Sequence, residues 1–134
     1  MCVCILVEKI PYFEFYDDFN GGGNLMCTVP VDPSNGPFSM VNAGDMLART
    51  GCGNNMANSM KLCYAKKGTK VRVYDVTPDP GVKGSEIYAV RDMGNRCQTI
   101  DKFLESKLYC DVKVDHIAGN LKNKISTFDV TFGN

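Results

Sequence analysis

Phe13-Glu14-Phe15-Tyr16-Asp17-Asp18 and Val71-Arg72-Val73-Tyr74-Asp75-Val76 align without a gap, and their match decides the fold. Each stretch opens with apolar and charged residues in alternation, the period of a half-buried strand. Each reaches a Tyr that is followed by six residues and then a Gly: Tyr16 to Gly23, and Tyr74 to Gly81. Further along, Ser59-Met60-Lys61-Leu62 lies over Thr127-Phe128-Asp129-Val130, again without a gap. Each of these stretches includes the end of an Asn/Ser turn, Asn54 to Ser59 in one case and Lys122 to Thr127 in the other. Duplication explains the two matches together, whereas chance must explain each separately. The chain therefore reads as two copies of one β unit, about 12–64 and about 70–132. Between the Tyr and the turn the second copy is longer by ten residues, which are assigned to a loop or short helix.

The rest of the chain fits this reading. Gly21-Gly22-Gly23, Pro30 to Pro37, Gly51-Cys52-Gly53, Lys67-Gly68, Pro78 to Gly81, Gly94-Asn95 and Gly119-Asn120 punctuate it at short intervals. Short strands fit between such marks, and Glu86 to Val90 is one more. Met1 to Val7 is apolar but too short for a signal peptide, with Glu8 and Lys9 at once behind it, so it reads as a strand. A secreted protein would carry its signal upstream of this sequence. Ile100, Phe103 and Leu104 recur at helical spacing and predict a helical turn within Thr99 to Lys107; a similar segment is expected at Met40 to Ala48. The expected class is all-β, two packed sheets with minor helix, in a single domain of 134 residues.

Charge and hydropathy exclude several classes. Fifteen basic residues balance fifteen acidic ones, so no electrostatic footprint for nucleic acid or an anionic membrane is present. No apolar run approaches the roughly 20 residues of a membrane-spanning helix. The seven cysteines are Cys2, Cys4, Cys27, Cys52, Cys63, Cys97 and Cys110. None forms a C-x-x-C, which argues against a zinc or thioredoxin-type site. Two readings stand. In one the domain is secreted, with two or three disulfides and at least one thiol left over. In the other the compartment is reducing and cysteine serves as a small buried hydrophobe. Sequence leaves the pairing open.

The repeated elements have a local physical logic. After each Tyr the chain turns back, with the ring packed over the hairpin. Glycine is expected where a side chain would strike the ring or where φ is positive. Asp17-Asp18 and Asn20-Gly21 are good turn formers, and Pro78 and Pro80 stiffen the second hairpin. The Asn/Ser elements read first as turns whose side chains hydrogen-bond the backbone before a strand.

These residues carry a resemblance. Both halves are similar to the Greek-key motifs of the βγ-crystallin superfamily, whose units combine an aromatic-x6-Gly element with a later Asn/Asp-Asn/Asp-x-x-Ser/Thr-Ser element. The similarity covers roughly Tyr12 to Val130. The Tyr-x6-Gly matches are complete. The second element departs from the pattern in both copies: Asn58 replaces the Ser/Thr in the first, and Lys122 and Thr127 replace the first Asn/Asp and the last Ser in the second. The resemblance implies two Greek keys related by a pseudo-twofold, and calcium sites shared between two adjacent turns. Carried over by position, the implied ligands are the side chains of Asn55 and Asn58 with the Met56 carbonyl, and the side chains of Asn123 and Ser126 with the Lys124 carbonyl. Carbonyls just after each Tyr, at Asp17 and Asp75, are implied to complete the shells. Neither turn carries a carboxylate, and Lys122 and Lys124 add positive charge, so any affinity is expected near ~10⁻⁴ M or weaker.

Enzyme readings find little support. His116 is the one histidine, and no nucleophile context surrounds it; it reads as a structural residue at a strand end. Gly21-Gly22-Gly23 lacks the Lys-Ser/Thr and helix of a phosphate loop. Asp17 and Asp18 face opposite ways on a strand and make no carboxylate pair. Lys61, Lys66, Lys67, Lys70 and Arg72 read as a solvated face rather than a docking site for an acidic partner. The sequence thus describes a non-enzymatic, stable small protein. The leading role is a secreted binding or toxin-like effector with a protein or cell-surface target, as the microbial relatives imply. The alternative is a cytoplasmic structural or stress protein of crystallin type.

Overall fold

A computed structural model describes residues 9–40, 42–53, 57–75, 84–101, 106–116 and 125–133. Among the described residues, ten strands form two antiparallel sheets: β1 Tyr12–Tyr16, β2 Leu25–Pro30, β3 Phe38–Ser39, β4 Ser59–Cys63, β5 Thr69–Tyr74, β6 Ser85–Ala89, β7 Cys97–Ile100, β8 Lys107–Leu108, β9 Val112–Asp115 and β10 Thr127–Phe132. One sheet has the order β2-β1-β4-β7 and the other β3-β10-β5-β6-β9-β8. Each half therefore gives one strand away. β3 of the first half joins the second half's sheet, and β7 of the second joins the first half's sheet.

The registers of the two halves correspond. Tyr16 stands opposite Ser59 where β1 meets β4, and Tyr74 stands opposite Thr127 where β5 meets β10. The pairings repeat the gapless alignments read from the sequence. The alternation also holds. Phe13 and Phe15 of β1 point inward, as do Val71 and Val73 of β5, and all four are at most 1% exposed. The sheets meet through Phe128 of β10, whose ring lies edge-on to Phe13 at 5.2 Å and to Phe15 at 5.8 Å between centroids. Edge-to-face contacts of this kind add to area burial because ring faces and edges carry opposite partial charge. Met40, Met46, Met60, Leu62, Ile87, Met93 and Ile100 fill the remaining core.

The structure corrects one expectation and leaves others partly or wholly outside the described residues. A helix, α1, spans Ala43–Thr50, near the expected segment at Met40 to Ala48. Asn42 caps it by accepting from the Asp45 amide, and Gly51 ends it in the left-handed conformation. Of the helical turn expected within Thr99 to Lys107, residues 102–105, with Phe103 and Leu104, lie outside the described residues; the flanks are strand, Ile100 at the end of β7 paired to β4 and Lys107 at the start of β8 paired to β9. The extra length of the second half holds a β-hairpin, β8–β9, where a loop or short helix was expected; Val112-Lys113-Val114-Asp115 alternates and pairs with β6. The expected strand within residues 1–8 lies outside the described residues. Among the described residues, no helix is long and apolar enough to cross a membrane.

Two disulfides reinforce the sandwich. Cys27–Cys52 ties β2 to the end of α1 inside the first half, and Cys63–Cys97 ties β4 to β7 across the halves. Their sequence separations of 25 and 34 correspond, in the loop-entropy account, to about 3.5 and about 3.8 kcal/mol of stabilisation. Cys110 is an exposed free cysteine, and Cys2 and Cys4 lie outside the described residues.

Candidate functional site

The residues singled out in the sequence gather at the ends of β1 and β5, where each Tyr strand turns back. At the first junction Asp17 closes the hairpin. Its backbone N–H donates to the Asn24 carbonyl at 3.2 Å. Its carboxylate accepts from the Asn24 backbone amide at 2.6 Å and from the Asn24 side-chain amide at 3.2 Å. Asp18 caps the 3-10 turn Phe19–Gly21 by accepting from Phe19 N–H at 2.8 Å. Gly23 has φ +71°, and a Cβ there would strike the Asp17 carboxylate. Of the two reasons for glycine that the sequence offered, positive φ holds here, and the crowded group is the Asp17 carboxylate rather than the Tyr16 ring. Tyr16 is half-buried and donates to Glu14 at 3.2 Å.

The Asn/Ser element locks this hairpin. Asn58 donates its backbone N–H to the Tyr16 carbonyl and its side-chain amide to the Asp17 carbonyl, both at 2.8 Å. Ser59, fully buried, donates to the Asp18 carbonyl at 2.6 Å and accepts from the Gly21 N–H at 2.8 Å. One short polar segment therefore satisfies four backbone groups of a hairpin some forty residues distant. This is the backbone-capping role that Asn and Ser perform at turns, made long-range. Asp17 and Asn58, two of the implied calcium ligands, are thus brought together, and the Asp17 carbonyl accepts from the Asn58 amide.

The second junction repeats the frame with different chemistry. Ser126 N–H donates to the Tyr74 carbonyl at 2.8 Å, the counterpart of Asn58 to Tyr16. Asp75, exposed, follows Tyr74, so these two implied ligands flank one strand pair. Gly81, Asn55, Met56, Asn123 and Lys124 lie outside the described residues. Among the described residues, Gly84 lies against the Tyr74 ring, and a Cβ there would come within 2.8 Å of ring carbon Cε1. Gly84 directly precedes β6 and clears the ring at that point.

Sequence reasoning missed the group that Tyr74 serves. Tyr74, 3% exposed, donates to one oxygen of the buried Asp129 at 2.7 Å. Arg72 donates to the other oxygen at 2.9 Å. Burial first, and then the bond to Asp129, hold the Tyr74 hydroxyl well above the usual phenol range. The signal was present: Arg72 and Asp129 sit two residues from Tyr74 and Thr127, so alternation places all four on one face. In the first half the same register positions hold Glu14 and Lys61, with the charges reversed.

Beside the end of β10, Lys70, Glu86, Tyr88, Asp115, Thr131 and Phe132 line a hollow of about 510 Å³. Lys70 pairs with Glu86 at 2.8 Å, and Lys113 pairs with Asp115 at 3.7 Å, so its charges balance locally. The sequence cluster of Lys61, Lys66, Lys67, Lys70 and Arg72 is accordingly divided, Lys70 and Arg72 being drawn into ion pairs. His116 follows β9, and its Nδ1 lies 3.2 Å from Ser85 Oγ. Ser85 is fully buried, so this pair presents no hydroxyl to a substrate. Among the described residues, no group of three or more His, Cys, Asp or Glu side chains is placed to hold a metal ion.

Compared with protein-family models, curated proteins and solved structures, the chain matches none.

Proposed function

We propose that the chain is a non-enzymatic, secreted binding protein of βγ-crystallin type, a toxin-like effector, whose two halves are Greek keys. One observation carries this reading. Each half places its Tyr opposite the Ser or Thr that follows its Asn/Ser turn, and each half lends a strand to the other's sheet. A duplicated unit accounts for both facts at once. Two disulfides fit an oxidising, extracellular compartment. The charge-balanced hollow beside Tyr88 gives the binding reading a surface to act through.

In this reading the calcium sites are vestigial. The first turn holds its hairpin through the Asn58 amide, which supplies by hydrogen bonding the restraint that a cation would otherwise provide. Neutral amide and hydroxyl oxygens leave little charge to attract a hard dication.

The test is binding. A fluorescent derivative of the oxidised protein is titrated onto isolated cell surfaces, with unlabelled protein as competitor. Saturable binding that Tyr88→Ala weakens supports the proposal. Binding that never saturates, or that unlabelled protein fails to displace, refutes it.

A further inference from the structure

We propose that Cys63–Cys97 is a reversible redox switch that opens while the domain stays folded, and that Cys27–Cys52 is not. The two bonds lie in opposite environments. Cys27 stands opposite Phe15 and shares its inward face, and Cys27 and Cys52 are 7% and 1% exposed. A thiolate reaches that bond only through the core. Cys63 and Cys97 stand opposite each other on the outer face of the four-stranded sheet. Cys63 is fully buried, flanked by its other cross-strand neighbour Tyr12. Cys97 is exposed and lies on β7, the edge of the sheet. Exchange rates depend on access of the attacking thiolate, and exposed bonds are the labile ones.

The reaction balances with a small dithiol as reductant. One thiolate of the reductant attacks Cys97 Sγ, and the bond to Cys63 Sγ breaks, leaving a Cys63 thiolate. The second thiol of the reductant then closes on the mixed disulfide and expels the Cys97 thiolate. The reductant leaves as a cyclic disulfide, and its two protons end on Cys63 and Cys97.

The opened pair stays in place because β7 is held at both ends by other bonds. Before the strand, Tyr64 N–H donates to the Arg96 carbonyl at 3.0 Å. The Arg96 guanidinium forks onto Asp111 at 2.8 and 3.1 Å. After the strand, the Asp101 carbonyl accepts from Asn20 N–H at 2.8 Å, and the Asp101 carboxylate accepts from the Tyr109 hydroxyl. The ladder to β4 runs between these anchors. The thiols therefore remain opposite each other and can re-form their bond. Opening removes the one described covalent link between the halves and leaves the link within the first half. The molecule would register a move from an oxidising to a reducing compartment without unfolding.

Free thiols of the native oxidised protein are first capped with light maleimide. The protein is then exposed to dithiothreitol without denaturant, quenched at intervals into denaturant containing excess heavy maleimide so that every reduced thiol is labelled, and mapped by peptide mass spectrometry. Heavy label is expected on Cys63 and Cys97 together, roughly tenfold or more faster than on Cys27 and Cys52. The reduced form should keep its β circular dichroism and a cooperative, lowered melting transition, and removal of reductant should restore Cys63–Cys97. The Cys63→Ser/Cys97→Ser variant should fold and retain Cys27–Cys52. Equal labelling of all four cysteines, loss of the cooperative transition on reduction, or failure of the bond to return would each overturn the proposal.

Discussion

Ser59→Ala tests the claim that one buried hydroxyl holds the first Tyr hairpin. Its oxygen makes two bonds, donating to the Asp18 carbonyl at 2.6 Å and accepting from the Gly21 amide at 2.8 Å. A hydrogen bond contributes about 1 kcal/mol net, so the pair amounts to about 2 kcal/mol. The figure does not rise further because Asp18 is exposed and Gly21 half-exposed, and water can take over both backbone groups. A chain of 134 residues has an unfolding entropy of about 0.28 kcal/mol/K, so the melting temperature should fall by about 7 °C. The assay is thermal unfolding of the oxidised protein at neutral pH, paired with native-state hydrogen exchange. The Gly21 amide should exchange faster in the variant, while amides of β5 and β6 slow or quicken only with global stability. A loss below about 0.5 kcal/mol, or unaltered local exchange at Gly21, would show that the hairpin is held by something else.

Gly23→Ala should cost about 2–3 kcal/mol, from the positive φ and from displacing the Asp17 carboxylate off Asn24; the cost should shrink in an Asp17→Ala background, which chemical denaturation of the double-mutant cycle would show. Because the folded-state pKa of Tyr74 is raised, its unfolded form loses a proton first as pH climbs past about 10, so its stability contribution is full below that pH and is lost above it. Tyr74→Phe should therefore flatten the alkaline decline of the unfolding midpoint, and an unchanged slope would refute the assignment. Calorimetric titration with calcium should give a dissociation constant of ~10⁻⁴ M or weaker, and Lys122→Asp should strengthen it; submicromolar binding by the native protein would contradict the vestigial reading. Thiol counting on unreduced, denatured protein should return three free groups, or one if Cys2, Cys4 and Cys110 contribute a third bridge; seven would place the protein in a reducing compartment.

The alternation around Tyr16 and Tyr74, and the match of Ser59 with Thr127, were enough to place the four central strands. A period of two sends Phe13, Phe15, Val71 and Val73 to one side whatever the surroundings. Asn58 and Ser59 were recognisable as turn-and-strand residues, but their bonds to Asp17, Asp18 and Gly21 were not, because partners about forty positions away are chosen by sheet pairing. Ile100 is a similar case: its place in the core comes from pairing with Met60 of β4, a partner forty positions away that local spacing does not name.

Local chemistry by itself determined that this chain is β-rich, that β1 and β5 alternate in the same pattern up to their Tyr residues, and that Gly23 sits at a turn suited to glycine. Steric and periodic constraints act within a few residues, so they are written in the sequence directly. Only the tertiary structure decided which halves exchange strands, which cysteines pair, that Gly84 clears the Tyr74 ring, and that Asp129 is shared between Tyr74 and Arg72. Those outcomes depend on which distant segments come to lie side by side, and that choice is made by burial of the whole core at once.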